Sequence, residues 1–538
     1  MATFEQSKVK LDQSGVARWS TLTVPYLVER AGVEPDKPAI VFEGAERTYR
    51  ELRDRSRRVA NALIERGVEP MDRVAVLCQN RLEFIEIEVG IAGAQGIMVP
   101  LNWRLQGEEL RNLLRRSEAR AAFVEDQYLE TIAELRAAGE LPDLETVIAV
   151  PSGDADASYE ELCAAASPEP PERQGGMEDP HEIIYTSGTT GEPKGVVWSN
   201  GTVIWNSIQQ VIDYKLRPED STFAVIDLYY IGGRHDFTWP VLHQGGTVHV
   251  KRSGGWDARE VIEYVAEHRI SHVLWVPTML FDILRLPGLA DFDLGGLRAI
   301  MCGGAPVSAS VTEQAQESIP SADFIQVYGL TEGGGNVTII PPEYAKTKAG
   351  SAGKASMHNE IRIADDSAAD LPPGETGEIL VRGPAVTAGY WDAPEMTASA
   401  IVDGWLHTGD MGYFDEDGFL FVSGRKKDMI ISGGMNIFPA EIEDVLRKHP
   451  AVLDAAVIGL PDERWGERVC AVIEAEPGAE IDEAEVIEFC KEHVASYRKP
   501  SVIEVVDELP RTPSGKAQKF LLRERFGAAE SAAPTERA

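Results

Sequence analysis

Tyr185-Thr186-Ser187-Gly188-Thr189-Thr190-Gly191-Glu192-Pro193-Lys194-Gly195 is the densest run of phosphate-compatible groups in the chain. The apolar pair Ile183-Ile184 leads into it like the end of a short buried strand. Gly188, Gly191 and Gly195 permit positive φ and close backbone approach to a ligand, and hydroxyls and Lys194 fill the gaps between them. A surface loop selected only for flexibility has no use for Pro193, which locks φ directly before the lysine. Nor is the run a Walker loop, because that motif needs glycine before its lysine and here the residue is Pro193. The stretch therefore points to a bound nucleotide outside the P-loop fold.

At 538 residues the chain is long enough for several domain-sized units and a large core. Its 43% apolar and 26% charged residues match an ordinary soluble globular protein, and no apolar run approaches the ~20 residues that span a bilayer. Met1 to Gly15 contains no apolar signal region, and Glu536-Arg537-Ala538 is no peroxisomal or retention signal, so a cytoplasmic enzyme is expected. The formal charge of −35 argues against nucleic acid or an anionic membrane as partner, since both would be repelled. A nucleotide is also an anion, so local cations such as Lys194, with a metal, have to overcome the global field. Cys78, Cys163, Cys302, Cys470 and Cys490 lie far apart without Cys-x-x-Cys spacing and read as buried or incidental thiols.

Taken in order, Thr48-Tyr49-Arg50-Glu51 is a capping box, and Leu52, Val59, Ala60 and Leu63 share one helical face until Gly67. Strand-like runs at Arg73 to Cys78, Ile97 to Leu101, Ala121 to Val124 and Val147 to Val150 alternate with helical stretches, which predicts an α/β fold with largely parallel strands. A Pro/Glu/Gly-rich linker runs from about Ser167 to Pro180. Beyond the phosphate loop, Val261 to His268 reads as helix, His272 to Pro277 as strand, and Arg298 to Met301 runs into Cys302-Gly303-Gly304-Ala305-Pro306. From about Gly350 to Phe421 short strands and frequent turns predict a β-rich subdomain. A final unit opens with a helix starting at Pro439 and ending before Pro450.

These segments, in this order, resemble the adenylate-forming (ANL) superfamily of acyl-CoA synthetases, aryl-CoA ligases, luciferases and carrier-loading adenylation domains. The resemblance covers nearly the whole chain. It rests on the opening loop, Gly303-Gly304-Ala305-Pro306, Tyr328-Gly329-Leu330-Thr331-Glu332, Gly377-Glu378-Ile379-Leu380-Val381-Arg382-Gly383, His407-Thr408-Gly409-Asp410, Gly424-Arg425-Lys426-Lys427-Asp428 and Pro513-Ser514-Gly515-Lys516. It implies a large N-terminal domain of αβ-layered subdomains plus the β-rich subdomain, over residues 1–424. Next would come a hinge at 425–428 and a small mobile C-terminal α/β domain at 429–526, while the composition of residues 527–538 reads as a disordered tail.

The implied chemistry has two half-reactions. A carboxylate attacks the α-phosphorus of ATP to give acyl-AMP and pyrophosphate, and the thiol of coenzyme A then attacks the acyl carbon and releases AMP. The resemblance assigns Thr186, Ser187, Gly188, Thr189, Thr190 and Gly191 to the β- and γ-phosphates, with Lys194 as an anchor. Thr331 would contact the α-phosphate and Glu332 would bind Mg2+. Tyr328, followed by Gly329, would stack on adenine opposite Gly303, Gly304, Ala305 and Pro306. Asp410 suits the two ribose hydroxyls, and Arg425 adds a ribose or phosphate contact. Lys516 is the catalytic cation, delivered by the small domain, which turns about Lys427. Gly433 and Gly434 would open a passage for pantetheine, or form a plain β-turn.

Departures gather where the acid should sit. Asp227-Leu228-Tyr229-Tyr230 stands where the family often has Pro-Leu-Phe-His, so Tyr230 replaces the usual histidine before Ile231-Gly232-Gly233. Arg234, His235 and Asp236 come next; Arg234 and Asp236 either pair with one another or face solvent, or they give a roomy pocket a polar element. The small residues Gly333, Gly334 and Gly335 support the roomy pocket. Trp198 is a further departure, read as pocket wall or core. A fatty acid or an aryl, bulky or polar-substituted acid is expected. An enzyme that loads a carrier protein and a nucleotide-binding protein without activity are the alternatives, and a homodimer is left open.

Overall fold

The computed structural model describes residues 22–29, 34–173, 175–186, 193–304, 307, 309–462, 464–511 and 517–531. The chain divides into two compact units, Met1–Glu360 with Val381–Leu406, and Ile361–Leu380 with His407–Ala538.

Two large sheets organise the first unit. In one, the strands Arg73–Leu77, Ile97–Pro100, Ala119–Glu125 and Thr146–Val150 pair in parallel, and Val74 to Leu77 are buried on both faces, as a helix-covered parallel strand requires. Pro180–Thr186 continues the parallel pairing through Ile97–Pro100. The direction then reverses, because Lys194–Ser199 pairs antiparallel with Pro180–Thr186, bringing Thr186 opposite Lys194. The second sheet runs Asp323–Leu330, Ala299–Cys302, His272–Leu274, Ser221–Ala224, Thr247–Val250 and Pro38–Phe42, again mostly parallel, with Gly335–Ile340 antiparallel beside Asp323–Leu330. One apolar core draws on both sheets, with Ile40 and Val248 from the second and Val74 and Val76 from the first.

Short-range chemistry explains many of the elements. Thr48 and Glu51 form the expected capping box on Tyr49–Glu65, and Leu52, Val59, Ala60 and Leu63 are buried on it. The helix Glu83–Gly93 differs from an ordinary amphipathic helix because its carboxylates face inward. Glu86 accepts from Arg47 Nε at 2.8 Å, Arg55 Nε at 2.7 Å and the Tyr159 hydroxyl at 2.5 Å, so the buried charge is paired and hydrogen-bonded. The five cysteines are free and buried. Among the described residues no helix is long and apolar enough to cross a membrane.

In the second unit, Trp405–Phe414 pairs with Leu420–Arg425 in the expected β-rich sheet, which Gly377–Arg382 and Glu360–Ala364 extend. A smaller α/β layer is built on Val452–Asp462, Gly466–Ala475 and Val502–Val506. Ile442, Val457, Ala471, Val486 and Cys490 fill its core. The compact division differs from the boundary expected at 424/425. The strand Leu420–Arg425 groups with the C-terminal layer because the helix Pro439–Leu446 packs against it. The tail also differs from expectation, since the helix Lys519–Ser531 continues past Gly527 through Ala528-Ala529-Glu530, all strong helix formers. Residues 532–538 lie outside the described residues.

Candidate active site

Of the expected phosphate loop, Ser187, Gly188, Thr189, Thr190 and Gly191 lie outside the described residues, as do Ala305, Pro306 and Lys516. The flanks of the loop are the antiparallel strands Pro180–Thr186 and Lys194–Ser199, so Thr186 and Lys194 stand side by side at its base. Gly195 serves a different purpose from the one expected. It lies inside the strand, and an added Cβ would come within 2.8 Å of Ile183 and 3.3 Å of Trp391. Side-chain packing therefore demands this glycine.

The motif Thr331-Glu332 forms a single 3-10 turn, Thr331–Gly333, between two antiparallel strands. Its backbone is held from outside. The Thr331 carbonyl accepts the Trp198 indole N–H at 2.8 Å and the Gly334 N–H at 3.2 Å. The Glu332 carbonyl accepts the Thr387 N–H at 3.0 Å, and its Oε1 accepts the Tyr390 hydroxyl at 3.0 Å. The Lys194 ammonium lies 5.7 Å from the centroid of the same tyrosine ring. Tyr390 stands on Gly389–Tyr390, paired with Val196 and Val197 on the strand that leaves the loop. Two motifs separated in sequence thus meet at one side chain.

A carboxylate held in this way, next to a threonine hydroxyl, offers the hard oxygen donors that Mg2+ prefers, and Mg2+ is commonly held by one or two carboxylates plus substrate phosphates. The residues present fit that ion. When bound, it would neutralise phosphate charge and fix the orientation of the phosphates.

In the segment expected to face adenine, Gly303 comes directly after the strand Ala299–Cys302, where an added Cβ would meet Val327 at 2.6 Å. Gly304 has φ +87 with open space where a side chain would stand, so a flat ring can approach its backbone. Tyr328 lies on the neighbouring strand Asp323–Leu330. Gly329 packs so closely that a Cβ would sit 2.1 Å from the Gly335 carbonyl oxygen.

The expected acyl pocket needs correction. Arg234 is 0% exposed and His235 1%, and neither faces solvent nor pairs with Asp236. Arg234 donates to Glu182 and to the Leu228 carbonyl, and its Nε lies 3.3 Å from Glu88. His235 Nε2 lies 2.5 Å from Glu182, and its ring packs at a tilt against Trp198 with centroids 4.6 Å apart. Glu88 also accepts from Trp239 at 2.9 Å and contacts His181 at 3.0 Å. Burial pushes the Glu182 carboxyl up, but Arg234, His235 and His181 outweigh it and hold it below the usual carboxylate range. Burial lowers His235 despite Glu182 beside it. These groups form a buried polar cluster in which Arg234 faces both Glu88 and Glu182.

Asp236 accepts from Gln210 Nε2 at 3.0 Å, and burial raises its carboxyl to about 7. Asn206 and Gln210 also donate to the His235 carbonyl, at 3.1 and 2.9 Å. Gly333 and Gly334 do not widen a pocket. A Cβ on Gly334 would stand 1.8 Å from the Ala385 carbonyl oxygen, and one on Gly333 2.7 Å from Leu330 and Val337. Close packing requires both. Gly232 is looser, its nearest neighbours being Tyr230 at 3.5 Å and Leu274 at 3.6 Å, and Tyr230 is among the exposed large side chains.

In the second unit, Asp410 and Arg425 sit opposite one another on paired strands, with Arg425 Nε 3.3 Å from Asp410 Oδ1. Lys427 lies in the turn Lys426–Asp428, whose flanks are fixed by Lys426 to Asp366 at 2.8 Å and Asp428 to Arg523 at 2.9 Å. Gly433 and Gly434, at φ +59 and +79, connect Ile430–Ser432 to Met435–Ile437 as a two-residue hairpin turn.

Sequence reasoning missed Tyr390, Thr387, Glu88 and Glu182 altogether. Nothing local marks them, because their partners lie 58, 55, 93 and 52 positions away.

Residues 27–391 match the family model of the AMP-binding enzyme, and residues 441–516 match its C-terminal domain. The chain is 38% identical over 500 residues to the feruloyl-CoA synthase of an Amycolatopsis species, covering 93% of this chain and 98% of the relative. It is 37% identical over 503 residues to the indoleacetate–CoA ligase of Aromatoleum aromaticum, covering 93% and 97%. Among solved structures, ATP-bound MatB from Rhodopseudomonas palustris superposes with a TM-score of 0.87 at 31% identity, covering 95% of this chain and 99% of that one. The anthranilate CoA ligase AuaEII holding anthranoyl-AMP superposes with 0.86 at 28% identity, covering 95% and 98%. The chain belongs to the AMP-binding enzyme family and is an ATP-dependent acyl-CoA synthetase of the adenylate-forming superfamily.

Proposed function

We propose that this synthetase activates an aryl or arylalkyl carboxylic acid, using ATP, Mg2+ and coenzyme A. The observation that carries the nucleotide half of this reading is the meeting of Lys194 and Glu332 at Tyr390. The acid half is supported by the named substrates of its relatives, feruloyl and indoleacetate among them.

In the first half-reaction an acid oxygen bonds to the α-phosphorus and the bond to pyrophosphate breaks. Negative charge shifts onto phosphate oxygens, so catalysis here is positioning and electrostatics. Thr186 and its loop hold the departing phosphates, with Lys194 beside them. Thr331 contacts the α-phosphate from a backbone that Trp198 and Gly334 fix, and Glu332 holds Mg2+. Tyr328 stacks on adenine against Gly303 and Gly304. Asp410, buried and paired with Arg425, binds the ribose hydroxyls.

Lys516 stabilises the α-phosphate charge during adenylation. A turn of the C-terminal domain about the 425–428 hinge, at Lys427, then exchanges it for the Gly433-Gly434 hairpin. In the second half-reaction the thiol sulfur bonds to the acyl carbon and AMP leaves. A cytoplasmic location fits the five free thiols.

The test is CoA-dependent AMP release across cinnamic, indolic, benzoic, medium-chain and long-chain acids. Highest kcat/KM for an aryl or arylalkyl acid supports the class, and highest kcat/KM for a straight-chain fatty acid overturns it.

A further inference from the structure

Tyr390 lies beyond the motif at residues 377–383, yet it reaches two groups of the proposed nucleotide site. Its hydroxyl donates to Glu332 Oε1 at 3.0 Å, and its ring lies 5.7 Å from the Lys194 ammonium. Hydroxyl and ring are different parts of one side chain, so it addresses carboxylate and lysine separately. Its backbone is fixed on several sides. Tyr390 pairs with Val196 across the sheet, its N–H donates to Thr397 Oγ1 at 2.9 Å, and the next N–H, of Trp391, donates to the Gly195 carbonyl at 2.7 Å. Three residues earlier, Thr387 holds the Glu332 backbone carbonyl at 3.0 Å. Gly389, which places this segment, has φ +128, and an added Cβ would stand 2.4 Å from Thr397. The tyrosine therefore cannot easily drift from Glu332.

We propose that Tyr390 is a positioning residue for the metal carboxylate and the phosphate-loop lysine. A hydroxyl that donates to a carboxylate oxygen, as Tyr390 does at 3.0 Å, restricts its orientation. Carboxylates that ligate metals are commonly held this way, and loss of such an outer partner typically weakens metal binding or activity by about 10–100-fold. The aromatic face meanwhile offers the lysine an attractive site other than the carboxylate. The inference rests on Glu332 being the Mg2+ carboxylate, and the experiment separates the two.

Tyr390→Phe keeps the ring and removes only the hydroxyl. Mn2+ binding to the enzyme holding α,β-methylene-ATP, followed by the paramagnetic resonance of free Mn2+, reads the site without turnover. Tyr390→Phe should weaken Mn2+ by about 10-fold and Glu332→Gln by more, both leaving metal-free AMP binding unchanged. If Tyr390→Phe binds Mn2+ like the wild type while Glu332→Gln is impaired, the positioning role is overturned and the metal reading stands. If Glu332→Gln also binds normally, the metal reading falls and the inference with it. Equal loss of AMP and Mn2+ binding in Tyr390→Phe would mark a structural residue and overturn the inference as well.

Discussion

The turn Thr331–Gly333 and the segment Ile231–Asp236 both sit in the first unit, yet they use polar groups in opposite ways. At the turn, backbone carbonyls are pinned by Trp198, Gly334 and Thr387, and the side chain of Glu332 is steadied by Tyr390. In the second segment the side chains themselves are consumed. Arg234 and His235 are taken up by Glu88 and Glu182 inside the fold. A charged residue next to a substrate segment is thus no guide to substrate chemistry, because desolvation makes a buried charge seek an opposite one wherever the fold supplies it. Trp198 joins the two regions, donating to the Thr331 carbonyl and packing its ring at a tilt against His235.

The sharpest way to break the contrast is Arg234→Met. Leaving Glu88 and Glu182 unmatched should cost about 3–5 kcal/mol of stability, and urea unfolding would show it; an unchanged midpoint would return Arg234 to the pocket. Lys516→Ala should act on rate alone, slowing acyl-AMP formation by about 10²–10³ while thioester formation from supplied acyl-AMP persists. Equal loss in both half-reactions would refute that role. Trp198→Phe tests the joint between regions. Loss of one N–H to the Thr331 carbonyl should cost about 1–2 kcal/mol, lowering kcat for pyrophosphate release about 10-fold with ATP binding little changed. A fall in stability alone, with kcat intact, would reduce Trp198 to packing.

The smallest effect belongs to Asp236. Its carboxyl is raised to about 7 in the fold, against about 3.9 in an unfolded chain. The stability it contributes is therefore fully present below about pH 4 and is lost as pH rises through about 7. Asp236→Asn should flatten thermal stability across that window and gain about 1–2 kcal/mol above it, allowing for water near the half-buried residue. An unchanged slope would show that Gln210 already satisfies the ionised form.

Much of the local fold is legible in the amino-acid sequence. The capping box at Thr48, the parallel strands, the strand at Ile183-Ile184 and the turn at Gly433-Gly434 obey local rules of period, φ and capping. Gly195, Gly333 and Gly334 mislead for one shared reason. A missing side chain suggests room, whereas here another atom already occupies the place.

Composition, motif order and spacing by themselves determined the family and the α/β class, because those motifs are short stretches whose chemistry lies in neighbouring side chains. Tertiary structure alone decided which distant groups complete them. Arg234 needed Glu182 and Glu88 brought to it by two other elements, and Glu332 acquired Tyr390 only through a strand paired at the loop's exit. Burial makes such pairings necessary, and sheet register chooses the partners; neither is encoded in any local stretch of sequence.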